Sequence, residues 1–546
     1  MANPMTARSG VDDSVRAMAE AVLLPGFRGT TAPDWVRARV AAGLGGVVLF
    51  GRNVVDDGQV AALTAALRAE RDDVVVGIDE EGGDVTRLDA ATGSDLPGPL
   101  AMGAAGDLAL TAEVGAALGA RLAACGVTVN LAPCADLTLS QDDPIIGVRA
   151  FGSDPYAAAA HVGAFVRGHQ RVGVAACAKH FPGHGASTSD SHVALPVLPR
   201  TPEELRACEL VPFRAALAAG VRAVMTGHLV VPGWGDDPVT LNSVAINEIL
   251  RGELGFTGAV ITDALEMGAV AGTFGDTDGL TEAAVRALRA GADALCIGGE
   301  EAGPEVLDRI VARIAAAVAD GTLDEQRLAE AAARTRALGT APEHREHPAP
   351  RRQDIGRGDG SADTTTGLWT TGERLSTPAE PPSPPPSSPA YPGGGGPDSH
   401  RHRLGITVAR KAIRATALPE LEDPLVLDVE VDPTIAAGPV PWGLGPHLSE
   451  LVPETTVLRV DAAEPADALA AARTAAGVVI VTRDAHRHPA VRALVAELVH
   501  TNPVTVHVET GVPGPDLGAS ARIDTFGASR PSLRAAAETV AEACRH

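Results

Sequence analysis

Short apolar runs alternate with longer amphipathic stretches through the first 340 residues of the chain. Eight runs stand out, at 21–24, 46–50, 74–78, 127–131, 175–178, 223–226, 259–262 and 294–297. Runs of this length, rich in Val, Ile, Leu and Ala and bounded by polar residues, read as buried strands. Around them lie stretches with apolar positions at helical spacing, among them 12–22, 57–68, 155–172, 202–219 and 282–290. Strand and helix in regular turn predict a parallel α/β unit. Eight such strands predict a (β/α)8 barrel of the TIM type rather than an open sheet.

The pattern stops near residue 340. The stretch PPSPPPSSPAYPGGGGP cannot bury a core and reads as a flexible or partly polyproline tether. Apolar runs then return at 425–427, 457–460, 477–482 and 504–508, with helical stretches at 464–475, 489–500 and 532–544. The chain is expected to divide into a barrel at 1–340, a disordered Pro/Gly/Ser-rich linker at 341–403 and a smaller C-terminal α/β domain at 404–546. A linker of this kind implies few contacts across it, so the barrel is expected to act alone. GVPGPDLG at 511–518 lacks the lysine of a phosphate loop and reads as a turn.

Titratable groups recur just past the apolar runs: Asp79 after the third, Lys179 and His180 after the fifth, His228 after the sixth and Asp263 after the seventh. In a barrel these positions converge on one mouth. The densest group is KHFPGHGASTSDSH at 179–192, with His180, His184, His192 and Asp190 in one polar loop. Lys179 and Lys411 are the only lysines of the chain, so a compact amine here, where arginine is the rule, points to a specific need. Asp190 and His192 are two apart. In an extended segment both point the same way, and the carboxylate can hold the imidazole for proton transfer near neutral pH. Gly183 and Gly185 are expected to make the loop mobile. The segment lacks the paired helical histidines or CxxC of metal sites, so no metal is expected.

Three more stretches carry candidate chemistry: GIDEEGGDVTR at 77–87, NLAP at 130–133 followed by DPIIGVRAFG at 143–152, and GFTGAVITDALEM at 255–267. A carboxylate such as Asp79 at a strand end can accept hydrogen bonds from two sugar hydroxyls. Glu80 and Glu81 are adjacent and should point apart, which argues against a catalytic pair. Arg149 offers a fork for hydroxyl or carboxylate groups. Asp263 is a carboxylate delivered by an apolar strand; Glu266, one helical turn on, reads as a cap on the helix that follows.

Composition narrows the partners. A formal net charge of −24 argues against nucleic acid and anionic membrane. With only 3% aromatics, any sugar-stacking platform must use few rings. The six cysteines show no paired short spacing and read as core residues in a reducing compartment. The first apolar run is short and preceded by acids, unlike a signal sequence, so a soluble cytoplasmic protein is expected. A monomer is the favoured form, and no cofactor is expected.

KHFPGHG followed by DSH, together with D-x-EGG-x-V-x-R, IGxRxFG and TDAL-x-M, resembles the β-N-acetylglucosaminidases of glycoside hydrolase family 3. That resemblance implies that Asp79, Arg87, Arg149, Lys179 and His180 bind the sugar. It makes Asp263 the nucleophile of a retaining hydrolysis and the Asp190–His192 pair the general acid/base. The residue at position 84 is often arginine in such enzymes, which leaves Asp84 without an assigned role. The C-terminal domain resembles, more weakly, the α/β sandwich domain of many family members. A neutral histidine base would also tolerate phosphate, so an N-acetylglucosaminide phosphorylase is an alternative. A catalytically silent sugar-binding protein is the alternative from another class.

Overall fold

The computed structural model describes residues 4–186, 195–267, 270, 279–298, 302–340, 397–434, 436–438, 441 and 443–544. All eight expected strands of the first domain are present: β1 (Leu23–Pro25), β2 (Gly46–Leu49), β3 (Val75–Ile78), β4 (Val129–Asn130), β5 (Ala175–Phe181), β6 (Ala223–Thr226), β7 (Ala259–Thr262) and β8 (Leu295–Ile297). Strands β2 to β7 pair in chain order, all parallel. Strand β8 pairs with β1, Leu23 opposite Leu295, and Ile261 bridges to Ala294 beside it.

Alternate residues of each strand enter different cores, because successive side chains point to opposite faces. Leu24, Val48, Val75, Val129, Cys177, Met225, Ile261 and Cys296, one from each strand, meet in a single inner cluster. Their neighbours Val47, Val76, Ala176, Val224, Val260 and Leu295 face outward into the layer shared with the helices. The eight strands thus curl round one packed interior, the layout of a TIM-like barrel.

Helix starts follow local chemistry. Asp56, Asp107 and Asp154 each accept backbone N–H groups at the start of helices Asp57–Glu70, Leu108–Ala124 and Pro155–Gln170. The expected single helix at 202–219 is instead two, Pro202–Ala207 and Leu210–Ala218. Pro212 explains the break: it has no N–H for the Cys208 carbonyl, and its ring collides with that carbonyl in a continuous helix.

The C-terminal domain is a six-stranded sheet in the order β11–β10–β12–β13–β14–β9. Its strands are β9 (Arg414–Ala415), β10 (Leu425–Glu430), β11 (Thr456–Asp461), β12 (Val478–Thr482), β13 (Thr505–Glu509) and β14 (Ala521–Asp524), with only β9 antiparallel. One face packs on helix Arg530–Ala543 through Val479, Val506 and Val540. The other packs on helices Ala466–Ala472 and Pro489–Thr501 through Leu427, Ile480 and Leu494.

Two expectations about the domain junction need correction. Residues 397–403, expected in the linker, open the helix Pro397–Ala412, whose Leu404 and Val408 join the main core of the first domain. The domains also share many contacts. Arg483 Nη1 lies 2.6 Å from Asp84 Oδ2 in a buried pair, and Ala528 N donates to Asp84 Oδ1 at 2.8 Å. Arg530 pairs with Asp95, and Lys411 Nζ reaches Asp107 Oδ2 at 2.6 Å. Linker composition reports only on the linker; the charged surfaces on either side of it decide whether the domains dock. No helix among the described residues is long and apolar enough to cross a membrane.

Candidate active site

The carboxyl ends of the barrel strands surround a cavity of about 460 Å³. Asp79, Arg87, Arg149, Lys179, His180 and Asp263, six of the eight expected site residues, all line it. Asp190 and His192 lie outside the described residues.

Lys179 organises one wall. Its Nζ is 2.5 Å from Asp79 Oδ1 and 2.7 Å from Glu81 Oε1. Arg149 grips Glu81 with both arms of its guanidinium, at 3.0 Å from Nε and 2.8 Å from Nη2. Burial opposes ionisation of Glu81, but the charges of Arg149 and Lys179 outweigh it and hold the carboxyl well below its usual range. Arg87 lies 3.8 Å from Asp79 and donates to the carbonyl of Ala436, a C-terminal-domain residue that also lines the cavity. Glu80 points the other way, as adjacency predicts. Its Oε2 accepts the N–H groups of Arg87 and Leu88, and burial together with the charge of Asp89 pushes its carboxyl up to about 7.

A second cluster sets the histidines. The carboxylate of Asp136 accepts from His180 Nδ1 at 2.7 Å, from the His180 backbone N–H at 3.1 Å and from the His184 backbone N–H at 2.7 Å. The Lys179–His180 peptide is cis, and both side chains line the cavity. Cys134 Sγ also donates to Asp136. Cys134, Asp136 and His180 present ligand atoms within 4.8 Å of one another, the one such group among the described residues. Their polar atoms already satisfy one another through Asp136 Oδ2. His184 lines the cavity with neither ring nitrogen hydrogen-bonded among the described residues, and burial lowers its imidazole to about 4, so it stays neutral at pH 7.

Asp263 follows β7 directly. Its backbone N–H donates to Thr226 O at 3.2 Å, and its Oδ1 accepts the Ala264 N–H at 2.8 Å. Burial raises its carboxyl, but His228, His180, the Ala264 N–H and Lys179 together bring it below the usual aspartate range. His228 is fixed by Thr240 Oγ1 at 2.8 Å and the Ala264 carbonyl at 2.9 Å. Glu266 also lines the cavity; most of the segment it was expected to cap lies outside the described residues. Phe50, the one Phe, Tyr or Trp in the wall among the described residues, carries the Arg52 guanidinium 4.3 Å above its ring.

The two loop glycines have reasons other than mobility. Gly183 holds φ +130°, and a Cβ on Gly185 would sit 1.7 Å from the Leu137 carbonyl oxygen. Both belong to a fixed turn, with the Gly185 carbonyl accepting from Ser140 N at 3.1 Å.

A carboxylate held below the usual aspartate range, beside a wall of buried acids and bases, is suited to nucleophilic attack. Residues 31–338 match the family model described as the glycosyl hydrolase family 3 N terminal domain. The chain belongs to glycoside hydrolase family 3. It is a glycoside hydrolase, and the silent-binder alternative is set aside. The family 3 barrel is 42% identical over 259 residues to a β-hexosaminidase of Stenotrophomonas maltophilia, spanning 45% of this chain and 76% of that protein. It is 40% identical over 267 residues to a β-hexosaminidase of Pseudomonas aeruginosa, spanning 48% and 77%. Among solved structures, a family 3 β-N-acetylglucosaminidase from Paenibacillus sp. matches 97% of each chain, with TM-score 0.79 and 29% identity. A Neisseria gonorrhoeae protein solved with N-trifluoroacetyl-D-glucosamine matches 59% of this chain and 91% of its own, with TM-score 0.51 and 29% identity.

Proposed function

We propose that this family 3 enzyme is a retaining exo-β-N-acetylglucosaminidase that removes terminal β-linked N-acetylglucosamine from short chitin-derived or cell-wall-derived oligosaccharides. The names of its relatives support the substrate. The observation that carries the mechanism is the place of Asp263: directly after β7, in one cavity with Asp79, Lys179 and Arg149, with its carboxyl held below the usual aspartate range. In the first step an Asp263 oxygen attacks the anomeric carbon and the glycosidic bond breaks. His192, held by Asp190, protonates the departing oxygen. In the second step His192 takes a proton from water, which attacks the same carbon and releases the sugar with its configuration retained. The six unpaired cysteines fit a reducing, cytoplasmic setting, and a monomer is proposed there.

The test is intact-mass and peptide mass spectrometry of enzyme quenched during turnover of a dinitrophenyl N-acetylglucosaminide. One N-acetylglucosaminyl group on the peptide holding Asp263 is expected, and none in Asp263→Asn. An adduct on another carboxylate, such as Glu266, overturns the assignment. The same reaction run in phosphate is expected to release free sugar; sugar 1-phosphate would make the enzyme a phosphorylase instead.

A further inference from the structure

In the C-terminal sheet the chain steps from β10 to β11 on one side, then crosses back to β12 on the other. The helix after β10, Gly445–Ser449, packs on one face through Leu448, and the helix after β11, Ala466–Ala472, on the opposite face through Leu469. Where connections part in this way, a crevice opens beyond the carboxyl ends of the two strands. A cavity of about 720 Å³ lies there, larger than the one of about 460 Å³ at the barrel mouth. Glu430 at the end of β10, Asp461 at the end of β11, Thr482 at the end of β12 and Thr510 just past β13 all face it. Among the described residues it shares no lining residue with the barrel cavity, and the proposed hydrolysis makes no use of it.

Its chemistry narrows the occupant. Four carboxylates stand on the wall, those of Asp428, Glu430, Asp432 and Asp461. Of the two guanidiniums, Arg483 pairs with Asp84 and Arg459 lies 3.8 Å from Glu430. In the connection that follows β10, residues 431–444, Gly443 lines the cavity, but the Leu444 and Gly445 N–H groups beside it already donate to Asp428, at 2.8 and 3.1 Å. A phosphorylated ligand therefore meets net negative charge without a compensating site. The carboxylates of Glu430, Asp432 and Asp461 instead suit a neutral ligand rich in hydroxyl donors, and Val429, Val431 and Val481 give it an apolar face to lie on.

We propose that this switch-point cavity is a second ligand site and that it binds a neutral saccharide. The shared chemistry fits two sources, the monosaccharide that the barrel releases or an oligosaccharide that it has yet to cut. The use of N-acetylglucosamine as probe rests on the proposed activity; the cavity argument does not.

The experiment is calorimetric titration of the full-length Asp263→Asn chain with N-acetylglucosamine, with N,N′-diacetylchitobiose and with maltose, which lacks the acetamido group. Two variants in that background close the cavity. Ala490→Trp fills it from an exposed position at the start of a helix, and Asp461→Lys reverses one wall charge at an exposed strand end. Circular dichroism and hydrolysis by each variant with Asp263 intact confirm that fold and barrel are unchanged. The expected result is two saccharides per chain, with one lost or weakened at least tenfold in both variants. Binding of N-acetylglucosamine there names the released product as source; binding of diacetylchitobiose alone names the oligosaccharide. Maltose bound and lost in both variants supports the site even if the barrel proves to act on another sugar. One saccharide per chain, or two that neither variant disturbs, overturns the proposal. Tighter binding of inorganic phosphate or adenosine monophosphate at this cavity overturns its ligand class.

Discussion

Lys179 Nζ and Glu81 Oε1 lie 2.7 Å apart with both side chains almost wholly buried, and the same ammonium holds Asp79 at 2.5 Å. One cation therefore balances two acids, both of which line the cavity. Removing it in Lys179→Met leaves Asp79 with Arg87, 3.8 Å away, and Glu81 with Arg149. Breaking a buried pair from one side costs about 3–5 kcal/mol, so a large drop in thermal stability is expected along with at least a 100-fold loss of kcat/KM. Lys179→Arg should not rescue activity, because a planar fork cannot occupy the place of a compact ammonium between two carboxylates. Wild-type kcat/KM in either variant would contradict this account.

The docking of the domains makes a prediction opposite to the one drawn from the linker alone. Asp84 belongs to the loop that carries Glu81 and Arg87, and its partners Arg483 and Ala528 are in the C-terminal domain. A chain cut at residue 340 strands that carboxylate and frees Arg87 from the Ala436 carbonyl. The truncated barrel is expected to fold with lower stability and to lose at least tenfold in kcat/KM. Arg483→Met in the full chain should show a smaller loss of the same kind. Full activity in residues 1–340 would show that the docking does not shape the site.

What was legible beforehand, and what was not, has a physical pattern. Buried parallel strands are continuous apolar runs, so all eight barrel strands could be located, and strand-end groups such as Asp79, Lys179 and Asp263 fell at one mouth. Strands β9 and β14 escaped because they are short and polar; Arg522 and Asp524 of β14 pair with each other at 2.8 Å. Asp136 escaped because its work, holding His180 from 44 residues away, leaves no local pattern. Glu81 was judged only by its neighbour, while its role comes from Lys179 and Arg149. The Asp84–Arg483 pair joins two domains, and nothing in either stretch names the other.

Glu80 gives a pH prediction. Its carboxyl is raised in the folded chain to about 7 from an ordinary 4.5, chiefly by burial. The folded state thus binds more protons than the unfolded state between those values. Stability from this group is full below pH 4.5 and is lost as pH rises through 7. Glu80→Gln keeps an oxygen for the Arg87 and Leu88 N–H groups but cannot ionise. Relative to wild type, the variant should melt higher at pH 8 than it does at pH 5. An equal difference in Tm at both pH values would show that Glu80 ionises freely.

The assignment of His192 is tested through the leaving group. If its imidazole protonates the departing oxygen, His192→Ala should slow substrates that need that proton and spare those that do not. A dinitrophenyl glycoside leaves as a stable anion, so its first step should be little changed, and the glycosyl–Asp263 ester should accumulate because the second step has lost its base. An alkyl or sugar leaving group needs the proton and should lose the full general-acid contribution, about 10²–10⁴-fold. Asp190→Ala keeps the imidazole but removes the carboxylate that orients it, so a smaller contrast of the same sign is expected. The measurement is kcat/KM across a series of leaving groups for wild type and both variants, with burst kinetics on the dinitrophenyl substrate. A uniform loss across the series would remove His192 from the proton-transfer role and turn attention to Glu266, one of the carboxylates that share the cavity with Asp263.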